Sequence, residues 1–151
     1  MKRERVGKWV LSVLLWFFGG TLYFFSEVIW KTARGRPETI SWTMLVVALI
    51  LCIPLERLGA ELPWKLSLPF QATICAAAIT VVEFVAGCIL NLWLGLGIWD
   101  YSEMPYNLCG QICLLFCFVW FVASIFGIVL FDWMRYAVEG GERPHYYLIT
   151  E

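Results

Sequence analysis

Long apolar runs separated by short polar connections dominate the chain, and a helix needs about 20 residues to cross the bilayer core. Three runs meet that length, predicting membrane-spanning helices at about 9–30, 68–92 and 106–131. A fourth, at about 40–55, is shorter and carries Pro54 near its end, which predicts a helix that thins the bilayer locally or starts within the interface. Trp9, Trp30, Trp42, Trp64, Trp93, Trp99 and Trp133 fall at or near the predicted ends, where amphipathic rings favour the headgroup region. Trp16 and Trp120 are internal exceptions. The pattern predicts an all-α, polytopic four-helix bundle, one integral membrane domain over residues 1–151, followed within it by a cytoplasmic tail at 132–151.

Composition supports this class. Hydrophobic residues make up 61% of the chain and charged residues only 15%, against about 25% in an ordinary soluble domain. The net charge of -1 leaves no basic footprint for nucleic acid. Charge is nevertheless uneven. Lys2, Arg3, Arg5, Lys8, Arg57, Lys65, Arg135 and Arg143 fall on one side of the predicted membrane, against Lys31, Arg34 and Arg36 on the other. The positive-inside rule then puts both termini in the cytoplasm. The basic start and apolar run also resemble a signal peptide, but the run continues well beyond the usual apolar length without an A-x-A-like site before Glu27, so a retained helix is expected.

Against this background the polar residues inside the apolar runs carry the information. A carboxylate at membrane depth costs at least about 2.5–3.5 kcal/mol, so a retained one has a partner or a task. Glu83 lies about two turns inside the end of the third helix, with Gly87 and Asn91 on its stripe at helical spacing. Glu27 lies about one turn inside the end of the first helix. Asn107 and Gln111 are expected in the first turns of the fourth, and Asp100 in the connecting loop. These ends share one membrane face, predicted to be the outer one. The amides of Gln111 and Asn107 are therefore expected to donate to the Glu83 carboxyl group, with Asp100 capping the cavity. Two readings stand: a polar site for a solute, ion or lipid headgroup formed by Glu83, Asn91, Asp100, Asn107, Gln111 and Glu27, or interhelical glue built around a neutral Glu83. Glu27 is also placed where it could snorkel to the interface.

Other chemistry is thin. Gly19-Gly20, Ala76-Ala77-Ala78 and Gly87 read as small surfaces for close helix approach. Cysteines 52, 75, 88, 109, 113 and 117 lie in apolar segments, and the single histidine, His145, falls in the tail as a solvated residue, so the cysteines read as small hydrophobes and no metal or other cofactor is expected. No G-x-x-x-x-G-K-[ST], G-x-S-x-G or H-E-x-x-H motif occurs. No catalytic residue is assigned. An internal repeat of two helical pairs, each carrying a Glu toward the same face, is conceivable but has little support in residue identity.

The string Glu83-Phe-Val-Ala-Gly87, Asn91, Trp93-Leu94, Trp99-Asp100-Tyr101-Ser102, Pro105-Tyr106-Asn107, Gly110-Gln111-Ile112-Cys113 and Trp120 resembles the small bacterial membrane proteins of the "putative ABC-transporter type IV" family. The resemblance is strong over about residues 80–121 and looser over the first two helices. There Glu27 is similar to the family's acidic residue after a Gly-Trp pair, although Gly19-Gly20-Thr21 replaces that pair. It implies a multi-pass protein of the bacterial inner membrane with a permease-like transport role. Four helices are few for a permease half, so it further implies a homo-oligomer or a partner membrane or ATPase subunit. The loop Glu56–Ser67 is short and interrupted by Gly59 and Pro63, with no coupling helix in view. A noncatalytic scaffold or regulatory subunit is the second reading, and a lipid-modifying enzyme using Glu83 and Asp100 the third.

Overall fold

A computed structural model describes residues 7–35, 37 and 40–149. The basic residues Lys2, Arg3, Arg5 and Arg36, on which part of the orientation argument rests, lie outside the described residues. Among the described residues, four helices form a bundle: α1 (Lys8–Ala33), α2 (Trp42–Glu61), α3 (Leu68–Gly87, prolonged by a π-helical turn at Cys88–Trp93) and α4 (Leu114–Glu139). All four are long and apolar enough to cross a membrane. Helix α2 is central, packing against the other three; α1 rests chiefly on α2, and α3 pairs with α4.

Two of the predicted helix ends move outward, for one physical reason. Helix α2 runs on past Pro54 to Glu61 instead of stopping near 55, and α4 continues to Glu139 instead of 131. In each case an ionisable residue that reads as the end of an apolar run is taken into the bundle and given partners. Glu56, 1% exposed, accepts from Ser12 Oγ (3.1 Å) and Trp16 Nε1 (2.9 Å) and pairs with Arg135. Asp132 accepts from the Tyr146 hydroxyl at 3.1 Å. A paired polar group inside the bundle escapes most of the cost of an orphaned one.

The start of α4 moves the other way, to Leu114 instead of about 106. Tyr106, Cys109 and Gly110 have φ of 54°, 53° and 68°, outside the right-handed helical region. Residues 107–113 instead form a small hairpin, β1 (Asn107–Leu108) against β2 (Ile112–Cys113), with Asn107 facing Cys113.

Small residues set the helix spacing. A Cβ on Gly20 would meet the Leu49 backbone at 2.9 Å, so α1 and α2 touch main chain to main chain there. The dry core is layered between the helices: Val47, Leu51, Ala76, Ile79 and Trp120 in one cluster, Leu11, Leu15, Cys52 and Phe131 in a second, Leu68, Ala72, Cys75 and Ile128 in a third. The outer faces are apolar too, with Phe17, Phe25, Val81, Phe118 and Phe126 all exposed. In water such a surface would aggregate; against acyl chains it is the expected one.

Beyond α4 the chain turns at Gly140 and Gly141 and returns to the bundle. His145 stacks on Trp64, ring centroids 5.0 Å apart, and Leu68 N donates to Tyr147 O at 2.8 Å. His145 keeps 42% of its side chain exposed, as expected of a tail residue, while one face of its ring rests on Trp64. Burial and the adjacent Asp132 carboxyl hold the Tyr146 hydroxyl above the usual phenol range, which keeps it a donor to Asp132.

Candidate functional site

The polar residues at the far end of α1, α3 and α4 separate into two layers. The inner layer surrounds Glu83, 5% exposed on α3. Its Oε2 accepts from Trp120 Nε1 of α4 at 2.7 Å, and its Oε1 from the Tyr101 hydroxyl at 3.4 Å, long for an O–H···O contact. Tyr23 of α1 lies against Trp120, centroids 5.3 Å apart, and Tyr101 stacks on Phe116 at 4.6 Å. Burial, then the Glu83 carboxyl, push the Tyr101 hydroxyl well above the phenol range, so it remains protonated.

The outer layer is a hydrogen-bonded plug. The π-helical turn adds a residue to the last turn of α3, closing with Leu94 N on Ile89 O at 2.9 Å, and presents Asn91 to the connecting segment. Asn91 uses its whole amide: Nδ2 donates to Trp99 O (3.0 Å) and Gln111 Oε1 (2.8 Å), and Oδ1 accepts from Ile98 N (2.7 Å). Gln111 Nε2 donates to Cys109 O at 3.0 Å, and the Gln111 backbone carbonyl accepts from Trp99 Nε1 at 3.0 Å. Asn107 ties the hairpin turn together, donating to Ser102 O and Met104 O and accepting from Gly110 N.

The structure therefore brings Glu83, Asn91 and Gln111 to one end of the α3/α4 pair, but with different partners, and Gln111 arrives from the hairpin instead of from a stripe on the fourth helix. The expected amide donors to Glu83 are replaced by Trp120 and Tyr101, because Asn107 and Gln111 sit on the hairpin and spend their amides on backbone and Asn91. Asp100 does not cap a cavity. It is exposed and folds back on Ser102 N (2.8 Å) and Ser102 Oγ (2.5 Å), bonds that hold its carboxyl below the usual range. Glu27 pairs with Lys31 at 3.4 Å, and Lys31 Nζ also donates to Ile98 O at 3.3 Å, linking α1 to the plug.

A second buried carboxylate centre, Glu56 with Ser12, Trp16 and Arg135, sits at the opposite end of the bundle. Sequence reasoning missed it by placing Glu56 in a loop. The signal was present in the two tryptophans that break the belt pattern, since Trp16 and Trp120 each donate to a buried carboxylate. On α4, one turn beyond Trp120, Ser124 is fully buried with Oγ unpartnered among the described residues.

Gly87 makes the layered arrangement possible. A Cβ there would lie 2.6 Å from Gln111 Oε1 and 2.9 Å from Gln111 Cβ. Gly87→Ala is expected to displace Gln111 and break its bond to Asn91, loosening the plug by about 1–3 kcal/mol. Hydrogen exchange should quicken at the Ile98 and Tyr101 amides while α2 keeps its protection. Unchanged exchange at those amides would show that Gln111 does not depend on Gly87.

A family model described as "Putative ABC-transporter type IV" matches residues 14–139, which take in all of both centres except the Ser12 hydroxyl. The chain belongs to that family. The match extends from α1 to the end of α4, so the type IV relationship covers the bundle as a whole and the resemblance over Glu83–Trp120 is one part of it. No curated protein and no solved structure matches the chain. With four apolar helices, this family member is a multi-pass membrane protein.

Proposed function

We propose that the chain is a transporter-like subunit of the bacterial inner membrane, with both termini cytoplasmic, acting through the Glu83 centre in the outer half of the membrane. The observation that carries this reading is a buried carboxylate on α3 held, among the described residues, by the uncharged donors Trp120 and Tyr101 alone, beneath a plug built from a separate chain segment. A carboxylate kept for helix adhesion alone could be replaced by an apolar side chain with little loss, whereas one that handles a substrate could not. Asn91, Asn107, Gln111 and Asp100 take supporting roles, since their polar atoms are engaged in positioning the plug. Glu27, with Lys31, anchors the plug to α1. Family membership supports transport as the task, and four helices are few to enclose a path, which supports assembly with a second copy or with membrane and ATPase partners.

The test is complementation of a strain lacking this chain. Glu83→Gln retains an acceptor for Trp120, so the protein should reach the membrane in normal amounts yet fail to restore the transport-dependent phenotype. Full restoration by that variant would reduce the centre to a structural tie, the role a scaffold subunit would give it.

A further inference from the structure

The two buried carboxylates of this chain are neutralised in different ways. Glu56 is met by the Arg135 guanidinium, and two neutral donors complete its coordination. Glu83 is met by neutral donors alone. Among the described residues no Lys or Arg forms an ion pair with it. Helix α1 contributes Tyr23, Glu27 and Lys31 to its surroundings, the last two paired with each other; α2 contributes Cys52 beside Tyr23; the connecting segment contributes Tyr101 and Cys113; α4 contributes Trp120 and no charge. Among the described residues, Glu27 is the one other carboxylate that acts on Glu83, and it opposes a negative charge there.

An isolated carboxylate in such a medium faces a desolvation cost that two neutral hydrogen bonds do not offset, and a proton is the smallest cation that removes it. Glu83 is 5% exposed, both its oxygens already contact side chains, and among the described residues no cluster of His, Cys, Asp or Glu offers a ligand set for a metal cation. With Oε2 accepting from Trp120 at 2.7 Å, Oε1 is the oxygen left to carry the proton. It faces the Tyr101 hydroxyl at 3.4 Å, a group able to accept as well as donate.

We propose that Glu83 is a proton-binding site, occupied in this closed arrangement and opened to the outer face by displacement of the segment that carries Tyr101. The step is a simple dissociation: the Oε1–H bond breaks, the proton passes to water, and the carboxylate keeps the electron pair while Trp120 still donates to Oε2. Two features single out Tyr101 as the movable side. Its contact is the longer of the two, and it belongs to the segment connecting α3 to the hairpin, outside the helices, whereas Trp120 is built into the core of the bundle. This inference rests on the proposed transport role for the same centre and adds the identity of the bound cation.

Infrared difference spectroscopy of the full chain in lipid nanodiscs, stepped from acid to alkaline pH, reads the proton directly. The wild type should show a protonated-carboxyl C=O band that is lost on alkalinisation. Glu83→Gln should lack it, Glu27→Gln should retain it, and Trp120→Phe should shift its frequency by removing the bond to Oε2. Tyr101→Phe should retain the band and change the pH at which it disappears. A wild-type spectrum without a titrating band removed by Glu83→Gln overturns the proposal, and so does a band that Glu27→Gln removes instead. Failure of complementation by Glu83→Gln with no such band would leave the transport reading standing and remove the proton. A titrating band together with full complementation would do the reverse.

Discussion

Arg135→Ala is expected to destabilise the protein by about 3–5 kcal/mol, among the largest single-residue effects available in the bundle. The reason is what the substitution leaves behind. Glu56 is 1% exposed, and without the guanidinium its charge is held by Ser12 and Trp16 alone, deep between α1, α2 and α4. Removing one partner of a buried pair is worse than removing both. Glu56→Gln combined with Arg135→Met should therefore recover most of the loss, because the Gln carbonyl still accepts from Trp16 Nε1 and its amide N–H donates to the Ser12 hydroxyl. Thermal unfolding in a mild detergent distinguishes the cases. A double variant no more stable than Arg135→Ala would mean that the pair acts through packing of the Arg135 stem, not through charge.

Gly20→Val is expected to be comparably damaging by a different route. Its Cβ would lie 2.9 Å from both N and Cα of Leu49, and two helix backbones cannot yield as a side chain can. Overpacking of this kind costs about 1–3 kcal/mol when neighbours can adjust and more when they cannot. Gly19 provides the control. A Cβ there meets the tip of the Phe131 ring at 2.6 Å, and a ring can swing, so Gly19→Ala should cost less than Gly20→Ala or Gly20→Val. Unfolding midpoints together with elution position on size exclusion would show whether α1 separates from α2. Equal effects at both glycines would mean that the helices shift as rigid bodies to absorb either substitution.

The apolar periodicity made four spans legible in the sequence, and the third begins where the pattern puts it, at Leu68. What periodicity could not show was how an ionisable residue inside a run is compensated. Glu56, Asp132 and Arg135 read as span ends because their partners lie on other elements; the Glu56–Arg135 pair joins residues on two different helices that become neighbours only in the fold. The hairpin was hidden for a local reason: residues 106–113 are apolar enough to pass as a helix start. Its cue is turn chemistry, with Asn107 accepting from Gly110 N across the turn. Within the candidate site, the stripe of Glu83, Gly87 and Asn91 was legible because helical spacing fixes a face. The identity of the donors to Glu83 was not, since Tyr101 comes from a connecting segment and Trp120 reads as core. The two tryptophans out of place in the aromatic belt were the best available pointers to both carboxylates.

The return of the segment after α4 also bears on the order in which the bundle can be completed. The α3 start is capped by Tyr147 O, and Asp132 by Tyr146, both supplied by chain that follows the last span. During synthesis the first three spans can enter the bilayer and associate, but the free amide of Leu68 and the carboxyl of Asp132 acquire these partners only after α4 is in place and the polypeptide has folded back onto Trp64. Assembly thus has a final fastening step that takes place at the membrane surface, after insertion is over.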